Sequence, residues 1–369
     1  MKKRMFIPLV ALALVLPLTS CGGSKTSENP SSEKNSEEKS KVYFGLGSDA
    51  SFDAKAQTDV DLVAALFDEA GKILDIKIDS LQVKVTSTEA DVVTLAADGY
   101  NDEAKTDIKS KHELKEDYGM KFVSGLQGNI EGGAEWYEQA ISFENWAVGK
   151  TLSEIKGSTK LNEKETGDVL VDGATIGTTI NVDMYVGALD KAFANKFEVE
   201  ASVDAKVGVG MFTTHASVAN EHSGVQTDVT VSGLVLENGK VAGSKFDVYQ
   251  IPYVVTAEEE KFVVSVDTAE SKVQVNAENS TIISKETLKY DYNMKYVSSL
   301  QGVLEGGAEW FEQAASFQAW AVGKTPAEIA GLELTDGAPT NGGAIGTTMT
   351  VTDFLNVYAE AAALAKAGR

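Results

Sequence analysis

The chain has 369 residues and a formal net charge of −22, with 33 Lys and Arg against 55 Asp and Glu. So acidic a surface repels phosphate backbones and anionic lipid, which argues against a nucleic-acid partner. One cysteine (Cys21) and three histidines (His112, His215, His222) leave no set for a disulfide, a cysteine-ligated zinc, an iron–sulfur cluster or a CxxCH haem site. His215 and His222 lie in a polar stretch and read as solvated side chains more readily than as a metal pair.

The N-terminus opens on Lys2, Lys3 and Arg4. An apolar run follows from Met5 to Leu18, then Thr19-Ser20-Cys21-Gly22-Gly23. The run is too short to span a bilayer and reads as a secretory signal over residues 1–20. Its end resembles a bacterial lipobox, in which Cys21 is lipidated and becomes the new N-terminus. Several acyl chains together hold a protein stably on a membrane. The expected location is therefore the extracellular face of the cell membrane. Loss of the leader takes the net charge from −22 to −25. Residues 22–40 read GGSKTSENPSSEKNSEEKS, with nothing apolar to bury, and are expected to be a disordered tether after Cys21. Fully extended they reach roughly 60–70 Å.

The remainder is an internal duplication. YGMKFVSGLQGNIEGGAEWYEQAISFENWAVGKT at 118–151 recurs as YNMKYVSSLQGVLEGGAEWFEQAASFQAWAVGKT at 292–325, offset by 174. Two domains are expected, 41–203 and 204–369, each of ordinary single-core size. In the first, strands are expected at 42–47, 73–79, 81–87 and 92–96. In the second they are expected at 207–212, 227–236, 244–251, 261–266 and 272–277. Both sets rest on β-branched residues and partial alternation. Helices follow at 134–147 and 308–321, where Trp136, Ala140, Phe143 and Ala147 recur at helical spacing and are matched by Trp310, Ala314, Phe317 and Ala321. Short helices are expected at 151–157 and 325–331, each opening on a Thr cap. Closing helices are expected at 184–195 and 352–367. Strands grouped before helices argue an α+β fold in each copy.

Near the end of each copy stands an octapeptide, DGATIGTT at 172–179 and NGGAIGTT at 341–348, offset by 169 at the last threonine. Gly173, Gly177, Gly342 and Gly346 open the backbone, and turn N–H groups can cradle phosphate oxygens. Asp172 or Asn341 is expected to start the turn by bonding its own backbone. The octapeptide resembles the motif that bacterial flavin transferases recognise, roughly Asp-Gly-x-Ser/Thr-Ser/Gly-Gly-Ala-Thr. Asp172, Gly173, Gly177 and Thr179 match in the first copy, and Gly342, Gly346 and Thr348 in the second. Ile176 and Thr178 depart from the motif in the first, and Asn341 and Ala344 in the second. Thr178 and Thr347 are neighbouring hydroxyls. The YGMK…EW(Y/F)EQA…WAVGKT block is similar to FMN-binding domains of Gram-positive surface lipoproteins. Residues 40–369 resemble the pheromone-encoding FMN-binding lipoproteins of the flavin-based extracellular electron-transfer chain.

The resemblance implies two FMN groups, each held covalently through a threonine phosphodiester at Thr179 and Thr348. It implies electron transport from the membrane quinone pool to extracellular acceptors such as ferric iron or free flavins. Its partners would be a flavin transferase, quinone-linked electron-transfer proteins, extracellular electron acceptors, and the membrane through the lipid anchor. The role is that of an electron carrier rather than an autonomous enzyme, and the signal peptide would yield a pheromone. Met120, Lys121, Met294 and Lys295 either line the flavin or are solvated. Trp136 and Trp310 either stack on the ring or belong to the core. Glu135, Glu138, Glu309 and Glu312 read as an exposed helix face, and Gly132-Gly133 and Gly306-Gly307 as helix-entry turns. A non-redox surface lipoprotein, binding solutes or mediating adhesion, is the alternative from another class.

Overall fold

The computed structural model describes residues 40–52, 57–90, 92–95, 108–162, 167–215, 225–258, 261–267, 273–275 and 280–367. The leader, Cys21, the tether through Lys39, and His222 lie outside the described residues. Lys39–Arg369 form one compact unit.

The first repeat opens with three long antiparallel strands, β1 (Val42–Phe52), β2 (Thr58–Phe67) and β3 (Ile73–Val83), followed by the hairpin β4 (Val85–Glu89) and β5 (Val92–Leu95). Helices α1 (Lys111–Leu114), α2 (Met120–Gln127), α3 (Trp136–Ala147) and α4 (Leu152–Lys156) come next. A small hairpin, β6 (Thr159–Leu161) with β7 (Asp168–Leu170), leads into the one-turn helix α5 (Gly173–Ile176) and then α6 (Asp183–Ala194). Strand β8 (Phe197–Val199) returns to pair with β1.

The second repeat follows the same order. It has β9 (Lys206–His215), β10 (Gln226–Glu237), β11 (Lys240–Glu258), β12 (Lys261–Val266), β13 (Val273–Val275) and β14 (Ser280–Ile282). Then come α7 (Lys285–Leu288), α8 (Lys295–Leu300), α9 (Trp310–Ala321) and α10 (Pro326–Ala330). The pair β15 (Leu334–Thr335) and β16 (Ala338–Pro339) precedes α11 (Gly342–Ile345) and α12 (Thr352–Ala367).

The strands form two main antiparallel sheets, in the orders β13-β14-β1-β2-β3 and β12-β11-β10-β9, with helices on their outer faces. This is an α+β arrangement. Each outer face carries its own core. Trp136, Ala140, Phe143 and Leu189 cover the first sheet, and Trp310, Phe317, Phe354 and Tyr358 the second. The inner faces share a third core: Phe44, Leu46, Leu62 and Leu66 pack with Val207, Val209, Val231 and Tyr249. The repeats are further joined where β14 pairs with β1, Ser51 opposite Thr281. The unpaired edge of β9 is closed by carboxylates, since Val207 N–H donates to Asp75 Oδ2 at 2.9 Å and Met211 N–H to Glu360 Oε2 at 2.9 Å. Covering N–H groups in this way blunts an edge that would otherwise recruit another strand.

Close helix-on-sheet packing is set by small residues. A Cβ at Gly45 would lie 2.0 Å from the Ala192 carbonyl oxygen on α6, and one at Gly208 would lie 1.8 Å from the Ala361 carbonyl oxygen on α12. Gly at these strand positions lets α6 and α12 lie almost against the backbone. Thr151 and Thr325 cap α4 and α10 as their sequences suggest, accepting from Glu154 N–H at 3.3 Å and Glu328 N–H at 3.2 Å.

Candidate functional site

The octapeptide folds into a single helical turn ended by a left-handed glycine. In the first repeat Gly177 N–H and Thr178 N–H both donate to the Gly173 carbonyl, each at 2.8 Å. Gly177 has φ of 93° and Gly346 has 86°, values that only glycine holds without strain. The close turn also explains the first glycine of each motif: a Cβ on Gly173 would lie 2.3 Å from the Thr178 carbonyl oxygen, and one on Gly342 would lie 2.3 Å from that of Thr347. Asp172 and Asn341 are exposed at the start of the turn, and neither side chain makes a capping bond. Their carbonyls do that work instead, which corrects the expectation of a side-chain-closed turn.

The turn separates the two threonines of each copy. Thr178 and Thr347 are 1 % and 0 % exposed, whereas Thr179 and Thr348 are part-exposed. Thr179 is held from α3. Its N–H and its hydroxyl donate to Gln139 Oε1 at 2.8 and 3.2 Å, and Thr348 repeats both distances on Gln313. Both glutamines are fully buried and fixed in orientation, because Nε2 donates to the Ala134 carbonyl at 3.1 Å and to the Ala308 carbonyl at 3.0 Å. Met120 Sδ and Met294 Sδ complete the surroundings of these amides, at 3.7 and 3.9 Å. Gln139 and Gln313 were not singled out from sequence, although both stand in the repeated EW(Y/F)EQA segment.

Thr179 opens on a cleft of about 880 Å³. Met120, Trp136, Thr178, Asp61 and Tyr185 line it, with Lys111 and Lys160 as its cations. A volume of this order suits a ligand of cofactor size. Lys121 and Lys295 are exposed, and Lys121 is not among the residues lining the cleft. Of the two readings of Trp136, the structure shows the core one. It is packed in the outer core, with His112 edge-on at 5.4 Å, and it contributes to the cleft wall. Lys111 Nζ stands 5.6 Å from the Trp136 ring centre and Lys285 Nζ 5.9 Å from that of Trp310, so a cation–aromatic pair recurs in both repeats.

The repeated acids are structural. Glu135 N–H donates to Glu138 Oε2 at 2.8 Å, and Glu135 Oε2 accepts from Met120 N–H at 2.8 Å. Glu309, Glu312 and Met294 make the same contacts at the same distances. Glu135 and Glu309 are therefore buried and tie α2 to α3 and α8 to α9, which corrects their reading as an exposed face. A second repeated chain runs along the strands: Tyr118 OH donates to Gln82 Oε1 at 3.0 Å and Gln82 Nε2 to Asp59 Oδ1 at 2.9 Å. Tyr292, Gln250 and Asp228 mirror it at 3.3 and 3.4 Å.

Asp61 is a buried carboxyl in the cleft wall. Burial pushes its carboxyl up to about 6, with Lys111 and the hydroxyls of Ser80 and Tyr185 pulling the other way. Nearby, Lys77 Nζ lies 3.0 Å from Glu144 Oε2 in a buried pair, and burial lowers the pKa of His112, whose Nε2 is 4.0 Å from Glu144 Oε1. His215 is engaged at the end of β9, with Nδ1 2.8 Å from Thr227 Oγ1 and Nε2 3.1 Å from the Val93 carbonyl. Among the described residues, no group of three His, Cys, Asp or Glu is placed to hold a metal, and no helix is long and apolar enough to cross a membrane.

No known family model and no solved structure matches the chain. A stretch of 127 residues is 32% identical to a chlorophenol reductase of Desulfitobacterium hafniense, covering 31% of this chain and 37% of that relative. The chain thus spans little more than a third of the relative's length.

Proposed function

We propose that this chain is a membrane-anchored extracellular flavoprotein that carries electrons from the membrane quinone pool to acceptors such as ferric iron or free flavins. In this reading the repeats are two FMN-binding modules, with FMN joined to Thr179 and Thr348 by phosphodiesters. The observation that carries it is the repeated presentation of one threonine hydroxyl. In both copies a part-exposed hydroxyl emerges from an open, glycine-ended turn, held at 3.2 Å by a buried glutamine. In the first copy it faces the large cleft. The neighbouring threonine, buried in each copy, is not available to a modifying enzyme.

The residues present fit the group. Thr178 Oγ1 is a buried hydroxyl without a partner beside the attachment point, and the cleft pairs an aromatic wall with Lys111 and Lys160. FMN would supply one- and two-electron chemistry there. The chain's own task is to hold, orient and shield. Gln139 fixes the threonine, Gly177 keeps the turn open, and Trp136 and Tyr185 exclude water from the cleft floor. A covalent bond also prevents loss of the cofactor by dilution outside a cell. The local likeness to a protein named as a reductase agrees with a redox role.

Co-expression of the mature chain with a flavin transferase, followed by intact-mass measurement, tests the assignment. Two FMN adducts are expected, with one lost in each of Thr179→Ala and Thr348→Ala. A colourless protein of unmodified mass would refute it.

A further inference from the structure

The two repeats differ where their sites would be expected to agree most. In the β2–β3 ladder Asp61 stands opposite Ser80, and in the β10–β11 ladder Thr230 stands opposite Val248. The superposition is fixed by the pair two residues along, Asp59 with Gln82 and Asp228 with Gln250. Tyr185 and Phe354 each follow the attachment threonine by six residues. An acid, a hydroxyl and a phenol in the first repeat are therefore replaced by Thr230, Val248 and Phe354 in the second. There the space is closed by stacking, with Phe354 4.1 Å from Phe246 between ring centres. Asp61 is 5 % exposed yet lines the cleft that Thr179 opens on, together with Ser80 and Tyr185. The second repeat carries a carboxyl elsewhere. Asp353 takes the place of Met184 in the first turn of α12, half-buried beside Asp228 and Lys285.

We propose that Asp61 is a redox-linked proton site, which takes up a proton as electrons enter the cleft at Thr179, and that the Thr348 site has no equivalent. This rests on the flavin reading above. The stoichiometry closes with a quinol as donor. The quinol gives up two electrons and two protons and becomes a quinone. Both electrons and one proton go to the ring, which is left with one negative charge, and the other proton goes to the Asp61 carboxylate. Negative charge arriving in a shared low-dielectric cleft raises the proton affinity of a buried carboxylate, and by reciprocity the protonated acid favours the reduced state.

The groups around Asp61 are compatible with this. Asp49 of β1 stands opposite it in the ladder but is neutralised by Lys191 of α6, at 3.0 Å. Asp59 of β2 and Asp79 of β3 are engaged by hydrogen bonds to Gln82 and to the backbone of Ser80 and His112. Lys111 from the α1 side favours the carboxylate before electrons arrive, while Tyr185 and Asp183 of α6 and Tyr118 complete the wall. An acid held near 6 by its surroundings is ionised at neutral pH and ready to take a proton.

The test uses the mature chain carrying two FMN groups by mass, together with Thr179→Ala and Thr348→Ala, which isolate one site each. Midpoint potentials are measured spectroelectrochemically across pH 5 to 8. The flavin on Thr179 is expected to show about twice the pH slope of the flavin on Thr348 above pH 6, because it takes two protons rather than one. In Asp61→Asn the slope falls to that of the second site with the Thr179 adduct retained. Redox-difference infrared spectra give a second readout that needs no Asp61 variant. A protonated-carboxyl band should appear on reduction in the wild type and in Thr348→Ala, and be absent in Thr179→Ala. Two adducts with parallel slopes and no such band overturn this proposal alone. Absence of any adduct removes it together with the flavin reading.

Discussion

Gln139→Ala is the most informative single perturbation, because the second repeat provides an internal control. Gln139 Oε1 is the acceptor for both Thr179 N–H and Thr179 Oγ1, and Gln139 Nε2 donates to the Ala134 carbonyl. The alanine variant leaves the Thr179 N–H without that acceptor in a part-buried turn. The Ala134 carbonyl suffers less, since Ser124 Oγ also donates to it at 2.8 Å. The cost is thus dominated by one orphaned donor, about 1–3 kcal/mol, with a smaller contribution from lost side-chain packing. If that cost is felt as local opening, amide exchange at Thr179 should accelerate roughly 5- to 150-fold, with Thr348 unchanged. Flavin transfer to Thr179 should slow by about tenfold or more relative to Thr348 in the same molecules, because the hydroxyl is no longer pre-oriented. Gln139→Glu keeps an acceptor for Thr179 N–H but replaces Nε2, the donor to the Ala134 carbonyl, with an oxygen. It should therefore restore the protection only in part, and only where its carboxyl is protonated. Equal exchange and equal modification at both threonines in Gln139→Ala would show that the glutamine only fills space.

Other consequences can be checked on the unmodified chain. Burial, with Asp79 and Glu113 nearby, pushes the Glu360 carboxyl from 4.5 up to about 9. The folded state then holds more protons than the unfolded chain between these values, so stability falls as pH rises through that window. Roughly 3 kcal/mol is lost by pH 7, and Glu360→Gln should flatten urea midpoints measured from pH 5 to 9 while keeping an acceptor for Met211 N–H. Gly45→Ala places a Cβ against the Ala192 carbonyl and should cost roughly 3 kcal/mol or more by thermal unfolding, since α6 must lift off β1. Lys77→Met strands the buried Glu144 carboxylate and should cost about 3–5 kcal/mol, most of it recovered by adding Glu144→Gln.

What could be read in advance followed the physics of each segment. Helices with one apolar face were legible: α12 spans Thr352–Ala367 as its periodicity suggests, and α3 and α9 carry their Trp, Ala and Phe inward. Strand β2 was not expected, because VDLVAALF is buried on both faces and shows no alternation to distinguish it from a helix. The short helices α1, α2, α7 and α8 were also missed. α2 and α8 are held by contacts distant in sequence, Glu135 and Glu309 to the backbones of Met120 and Met294, whereas α1 and α7 open on the local caps Ser110 and Ser284, a signal the sequence does display. The octapeptide threonines were legible as a pair, but only the turn geometry separates Thr179 from Thr178. Asp61 carried no sequence signal at all. Its distinction comes from a ladder register and from what stands at the same place in the other repeat.

The shared inner core makes a strong statement about how the repeats fold. A boundary near residue 203 divides the sequence but not the apolar surface, since Phe44, Leu46, Leu62, Leu66 and Leu81 pack in the same cluster as Val207, Val209, Val231 and Tyr249. Residues 40–203 expressed alone would expose those five side chains. At about 2 kcal/mol each, that forfeits roughly 10 kcal/mol, comparable with the whole stability of an ordinary domain, about 5–15 kcal/mol. The fragment would also lose β14 from the edge of β1 and the Ser48–Tyr249 hydrogen bond. It should therefore be aggregated or loosely packed, with poor dispersion in its amide NMR spectrum, and should gain a cooperative transition when 204–369 is co-expressed. A monomeric 40–203 fragment with sharp, independent unfolding would mean that the inner core contributes little. The two attachment sites would then be free to move separately, rather than being held at fixed positions on one body.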